Sequence, residues 1–180
     1  MKDKILAMLP EAKEIQNDAL REKVLAVWQE AMMEGGWTIE ALESMPYTLL
    51  EETDISFPQH VRVVCRLCMA MLDVLQESYG TRYTIDSDAL IAGALLADVG
   101  KLLEIRQDAQ GRYTWAPMYA HLRHPFTGVA LAYKHELPPK VLHVIATHSW
   151  EGDRFKRQPE SILFHHADFT DFDLTRYAGE

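Results

Sequence analysis

The stretch "TIDSDALIAGALLADVGK", residues 84–101, decides the fold. From Asp86 or Ser87, either of which suits a helix N-cap, the run stays apolar on nearly every side to Val99. A helix that is apolar all round has to be buried all round, so other helices must surround it. One residue breaks the run. Asp98 is a carboxylate with no local capping role, followed by Gly100 and Lys101. Burying it costs several kcal/mol unless a partner or a metal ion compensates its charge.

The segments on either side supply those helices. Upstream, "VRVVCRLCMAML" belongs to a long helix from about Pro58 to Tyr79, closed by Gly80. Nearer the start, Pro10 opens a helix with Ile15, Leu20, Val24, Leu25, Trp28, Ala31 and Met32 at helical spacing, ended by Gly35 and Gly36. A short helix in "TIEALESM" and a loop through Pro46 join the two. Downstream, "LEIRQDAQGRYTWAP" reads as a small β-hairpin or an ordered loop. Helical patterning resumes in "HPFTGVALAYKHE", in "PPKVLHVIATHSW", which starts at Pro138 and Pro139, and in "PESILFHHADFTDFD" after the polar loop "EGDRFKRQ". The chain therefore reads as an all-α helical bundle with at most one small hairpin, without repeats or low-complexity segments.

A chain of 180 residues with 48% hydrophobic and 25% charged residues suits one ordinary globular domain. The net charge of −9, from 27 acidic against 18 basic residues, argues against nucleic acid as a bulk partner and against an anionic membrane surface. A small anionic substrate fits, because a few local cations override the overall field. Cys65 and Cys68 have C-x-x-C spacing, but they fall in a helical pattern with no strand before them and read as buried, reduced thiols. "MKDKILAMLPEAKE" carries no signal-peptide pattern, and no apolar stretch reaches the roughly 20 residues of a membrane span. The expected location is the cytoplasm, and nothing in the pattern opposes a homo-oligomer.

Polar residues placed where helices want apolar ones come from five segments: His60, Asp98, His124, His148, and the group His165, His166 and Asp168. Positions 165 and 168 share a helix face. A bundle can bring such residues to one interior pocket, the usual way helical proteins build metal sites. Imidazoles and carboxylates without sulfur suit one or two divalent ions of zinc, iron, manganese or nickel. A lone histidine on a helix is ordinarily a hydrogen-bonded side chain, and His121, His135 and His143 are read that way. Tyr113, Trp115 and Tyr119 are read as packing the hairpin to the core rather than stacking on a ligand ring.

His60, then "LLADVGK", then "HHADFTDFD" resemble the HD-domain superfamily of metal-dependent phosphohydrolases. The resemblance covers about residues 55–175, with residues 1–54 as an added N-terminal helical cap. It implies His60, Asp98 and Asp168 as metal ligands. His124 and His148 fall at the extra histidines of two-metal members, and His165 either adds to the site or orients Asp168. Lys101 corresponds to the lysine of the "DxGK" turn, directed at the substrate anion. Arg123 and Arg154 are further candidates for that anion, and Glu151 for a proton shuttle. Ala97 departs from the pattern, because it stands where the family has the histidine of its His-Asp pair. The chain is then either a natural variant with a weakened or rebuilt site, or a form in which that histidine has been replaced. The other buried polar residues favour replacement or recent loss over long decay, on the ground of burial cost.

Three functions follow from the resemblance. The first is a hydrolase of a phosphate ester or nucleotide, in which ions acidify water, Asp98 bridges or anchors them, Lys101 with Arg123 or Arg154 contacts the anion, and Glu151 shuttles a proton. The second is an HD-type di-iron oxygenase or lyase acting on a small organic substrate. The third is a ligand-binding HD domain without catalysis, for which Ala97 is the natural residue.

Overall fold

The computed structural model describes residues 1–179. It is an all-α bundle carrying one two-stranded sheet. The central helix is α5 (Ser87–Leu96), in which every residue from Ala89 to Leu96 is buried. It packs against α2 (Asp18–Gly35), α4 (Phe57–Tyr79), α8 (Pro139–Thr147) and α9 (Pro159–Ala178). The Asp86 carboxylate accepts the Ala89 N–H at 3.0 Å and caps the helix as its sequence requires. α5 stops at Leu96 instead of running to Val99. The backbone then turns tightly through residues 97–100 into the four-residue helix α6 (Lys101–Glu104), with the Lys101 N–H on the Asp98 carbonyl at 2.8 Å.

The N-terminal region differs from the sequence expectation. A helix α1 (Lys2–Met8) precedes Pro10, residues Pro10–Glu14 form a 3-10 turn, and α2 begins only at Asp18. The break is held from a distance, because the Asp88 carboxylate on α5 accepts the N–H groups of Gln16 and Asn17, both at 2.8 Å. Asn17 then caps α2 through the Leu20 N–H. At its other end α2 closes on Gly36, whose left-handed φ of 72° suits glycine. The short helix α3 (Ile39–Leu42) and the loop through Pro46 follow as read.

α4 begins one residue before Pro58 with Ser56 as its cap, and its Cys65 and Cys68 are buried and unbonded. The hairpin is real: β1 (Ile105–Gln107) pairs antiparallel with β2 (Tyr113–Trp115), Ile105 opposite Trp115. α7 (His124–Lys134) packs on α8 and on α6. α9 runs past the expected end at Asp173 to Ala178.

Two tryptophans of the N-terminal layer secure the turn after α5. The Trp28 indole N–H reaches the Leu95 carbonyl at 2.8 Å, and the Trp37 indole N–H reaches the Leu102 carbonyl at 2.7 Å. Helix ends leave such carbonyls without intrahelical partners, and the tryptophans supply them. No described helix is long and apolar enough to cross a membrane.

Candidate metal centre

The turn of residues 97–100 drives the Asp98 carboxylate into the middle of the bundle, where it is 4% exposed. Gly100 permits this. A Cβ there would stand 2.2 Å from the His124 carbonyl oxygen, so only glycine lets the turn lie against the start of α7. Pro125 in the first turn of α7 fits the missing hydrogen bonds of a helix start, and the residue just ahead of it, His124, points back at Asp98. His148 closes α8, and His60 comes from the first turns of α4.

Each oxygen of Asp98 faces its own set of donors. Oδ1 is 3.2 Å from His124 Nε2 and 3.4 Å from His148 Nε2, and the two ring nitrogens are 3.1 Å apart. Oδ2 is 3.1 Å from His60 Nε2 and 2.9 Å from Lys101 Nζ, while His60 Nε2 is also 3.2 Å from Asp168 Oδ1. Within each of the sets Asp98–His124–His148 and His60–Asp98–Asp168 the ligand atoms all lie within 4.8 Å of one another. Atoms bound about 2.0–2.2 Å from a single zinc-like ion stand roughly 3–3.5 Å apart, so these spacings fit an ion at each set. The donors are nitrogen and oxygen only, the chemistry of zinc, iron, manganese or nickel. Asp98 belongs to both sets.

The outer nitrogens of the three histidines are all engaged. His60 Nδ1 meets Asp171 Oδ2 at 2.7 Å, His124 Nδ1 meets Glu104 Oε2 at 2.8 Å, and His148 Nδ1 donates to the Ile145 carbonyl at 2.8 Å. Each acceptor holds a proton on Nδ1 and turns Nε2 inward, so Nε2 is the nitrogen an ion would take in place of its second proton. The Tyr47 ring stacks on His60 at 4.2 Å, and its buried hydroxyl has no hydrogen-bond partner among the described residues.

Electrostatics follow from this crowding. Burial works against charge on Asp98, but Lys101, His124, His148 and His60 outweigh it and hold the carboxyl well below its usual range. Burial likewise opposes protonation of His60, yet hydrogen bonds to Asp168, Asp171 and Asp98 raise it to about 10. His124 is raised in the same way, burial being overcome by Asp98 and Glu104. Glu104 is lowered, with His124 and then Arg123 offsetting its burial.

A cavity of about 250 Å³ opens onto the cluster; Asp98, Lys101, Arg123, His124, His148 and Asp168 all reach its wall. Trp115, Trp150, Phe169 and Phe172 give it apolar sides. Trp115 thus faces the cavity as well as packing on Tyr119, whereas Tyr113 stacks on Trp37 as expected of a core-facing residue.

Five of the residues singled out from the sequence as metal ligands, His60, Asp98, His124, His148 and Asp168, come together. His165 does not join either donor set: its Nδ1 lies 2.7 Å from the His148 carbonyl oxygen and its ring packs on Phe169. His166 is exposed on the outer face of α9. Arg154 is exposed and off the cavity wall. Glu151 does not line the cavity either; its Oε2 accepts the Ser149 hydroxyl and its Oε1 lies 3.5 Å from Arg123 Nη1. His135 pairs with Glu30, His143 accepts the Gln158 N–H that opens α9, and His121 is exposed, as lone histidines ordinarily are. Sequence reading missed Glu104, Asp171 and Tyr47. Helical spacing, Glu104 three residues after Lys101 and Asp171 three after Asp168, does not by itself set the first two apart from solvated positions.

Among curated proteins, the chain is similar to the dihydroneopterin 2',3'-cyclic phosphate phosphodiesterase of Methanocaldococcus jannaschii. The two are 28% identical over 168 residues, which is 89% of this chain and 66% of that protein, so the chain spans just under two-thirds of the relative's length. No protein-family model matches the chain, and no solved structure matches it.

Proposed function

We propose that this chain is an HD-type, metal-dependent hydrolase of a phosphate ester, with His60, Asp98, His124, His148 and Asp168 as its ion ligands. The observation that carries the reading is Asp98, a buried carboxylate whose two oxygens each face a separate nitrogen-and-oxygen donor set at ligand spacing. Similarity to a phosphodiesterase supports phosphate-ester hydrolysis and makes a 2',3'-cyclic phosphate the first substrate to try. Residues 55–175 form the HD core in this reading, with residues 1–54 as the added layer that braces the Asp98 turn through Trp28 and Trp37.

A bound divalent ion would supply Lewis-acid polarisation of a phosphoryl oxygen and acidification of water. The protein's own groups do the rest. Asp98 sets the spacing of the two donor sets, and Asp171, Glu104 and the Ile145 carbonyl orient the imidazoles. Lys101 and Arg123, on the cavity wall, offset charge on the phosphoryl oxygens. Phe169, Phe172 and Trp115 take the organic part of a small substrate and exclude water from it.

Ala97 leaves the His60–Asp98–Asp168 set one donor short of the family pattern, so we read the chain as holding its ion more weakly there than at Asp98–His124–His148. The test is hydrolysis of cyclic phosphates and phosphomonoesters with Mn²⁺, Fe²⁺, Zn²⁺ or Ni²⁺, for the chain as it stands and for Ala97→His, alongside metal analysis of both. Turnover by the chain that rises in Ala97→His, with more ion bound per chain, is the expected result. No turnover by either form under any ion refutes the hydrolase. Tight nucleotide binding without turnover, unchanged by Ala97→His, would make it a ligand-binding domain instead.

A further inference from the structure

We infer that Glu104 is a positioning residue that holds an anion-binding arginine and an ion-binding histidine as one unit, making ion affinity and phosphate affinity depend on the same buried carboxylate. The inference rests on the proposed function and adds a residue to it. Glu104 is 2% exposed, and both its oxygens are used: Oε1 accepts Arg123 Nε at 2.5 Å and Oε2 accepts His124 Nδ1 at 2.8 Å. Arg123 and His124 are consecutive at the start of α7, so one carboxylate clamps two neighbouring side chains that serve different tasks.

Nothing in this unit is free to drift. The Glu104 carbonyl accepts the Ala116 N–H at 2.8 Å, tying its backbone to the end of β2. The Arg123 guanidinium lies 5.0 Å over the Tyr119 ring, which stacks on Trp115 at 4.0 Å, and Glu151 flanks its far side at 3.5 Å. With Nε committed to Glu104 and the plane fixed by the ring, the guanidinium meets the cavity in one orientation. On the other branch, His124 donates its Nδ1–H to Glu104 Oε2 and keeps Nε2 for the Asp98–His148 set. A carboxylate in that position orients the ring and raises its basicity, and losing it typically costs 10–100-fold in metal affinity. Asp171 does the same for His60 but holds no arginine, so the double duty belongs to Glu104 alone of the two.

The test uses the full chain, Co²⁺ as the ion and inorganic phosphate as the anion. Co²⁺ affinity, the visible Co²⁺ spectrum, and phosphate affinity of the ion-free protein are measured for the unmodified chain, Glu104→Gln and Arg123→Met, with far-UV circular dichroism to follow the fold. Glu104→Gln should lose about 10–100-fold in Co²⁺ affinity with an altered spectrum, and its phosphate affinity should fall to that of Arg123→Met. Arg123→Met should lose phosphate affinity only, keeping Co²⁺ affinity and spectrum. Glu104→Gln that keeps either affinity overturns the inference. If Glu104→Gln does not fold, Glu104→Asp carries the test: one methylene shorter, it cannot span both partners, and two unchanged affinities overturn the proposal. An unmodified chain that takes up no Co²⁺ defeats the proposed function and this inference together. An unmodified chain that binds Co²⁺ no better than Glu104→Gln defeats this inference alone.

Discussion

Gly100→Ala adds one methyl group where the turn after α5 meets α7, and its cost can be worked from the surrounding atoms. The new Cβ would stand 2.2 Å from the His124 carbonyl oxygen, 2.5 Å from Thr127 Oγ1 and 2.8 Å from the Gly128 nitrogen. Comfortable contacts between heavy atoms are about 3.5 Å, so the nearest atom has to retreat by roughly 1 Å. Two of the three atoms are backbone and cannot rotate away. Gly100 itself has an ordinary helical φ of −64°, so alanine is not strained by its own dihedrals and the clash is the whole effect. Overpacking of this kind costs about 1–3 kcal/mol, and backbone contact places Gly100→Ala near the top of that range. At about 2–4 °C per kcal/mol for a chain of this length, the melting temperature should fall by roughly 6–12 °C. The functional loss should be larger, because the displaced carbonyl belongs to His124. A shift of that size withdraws His124 Nε2 from Asp98 Oδ1 and His148 Nε2, now 3.2 and 3.1 Å away. Thermal unfolding gives the first quantity, and a Co²⁺ titration at a temperature where the variant is fully folded gives the second. An unchanged melting temperature refutes the steric argument. A lowered one with unaltered Co²⁺ affinity and spectrum refutes the claim that the turn positions His124.

Asp171→Asn removes the carboxylate from His60 Nδ1 and should cost about 10–100-fold in ion affinity at the His60–Asp98–Asp168 set; a Co²⁺ titration should show one weakened step and one intact. Trp28→Phe strips the Leu95 carbonyl of its buried donor, and urea unfolding should show a loss of about 1–3 kcal/mol from the orphaned acceptor. Burial pushes the Cys65 thiol up to about 12 and raises Cys68 as well, so neither should react with an aromatic disulfide reagent at pH 8 until the protein unfolds. Rapid reaction of the native protein would contradict the burial of that helix face.

The sequence was informative where a structural choice depended on nearby residues. α5 is capped by Asp86 and α4 is closed by Gly80, both as their own flanking residues demand. The hairpin follows from "QDAQG", where the Asp108 carboxylate accepts the N–H groups of Gln110 and Arg112 and Gly111 takes a φ of 78°. The helix expected from Pro10 fails for a reason no local window contains: its break at Gln16 and Asn17 is satisfied by Asp88, seventy-two and seventy-one positions away. The site divides in the same manner. His60, Asp98, His124, His148 and Asp168 are visible because each is an ionisable group on an apolar helix, or at its first or last turn. Glu104 sits in "KLLE" and Asp171 in "DFTD", contexts indistinguishable from solvated helix faces, and only the bundle turns them inward.

Charge explains why these residues stay together. The side chains of Asp98, Glu104, Glu151, Asp168 and Asp171 are between 2% and 16% exposed, and the permanent cations among them are Lys101 and Arg123. Carboxylates buried in that excess need more positive charge than lysine and arginine supply. The imidazoles are drawn into the role, which is why His60 and His124 both hold protons more strongly than a histidine in water. The same inward-facing Nε2 atoms are the ones an ion would take, and a divalent ion at either set would answer the same deficit. Asp98 is the atom pair on which this turns. It touches side chains from α4, α6 and α7 and the residue that closes α8, so the carboxylate that interrupts an apolar run is also what joins these elements around one centre. The burial cost that marked Asp98 in the sequence is offset only by that whole set of partners, and a substitution that removes any one of them should be felt by the others.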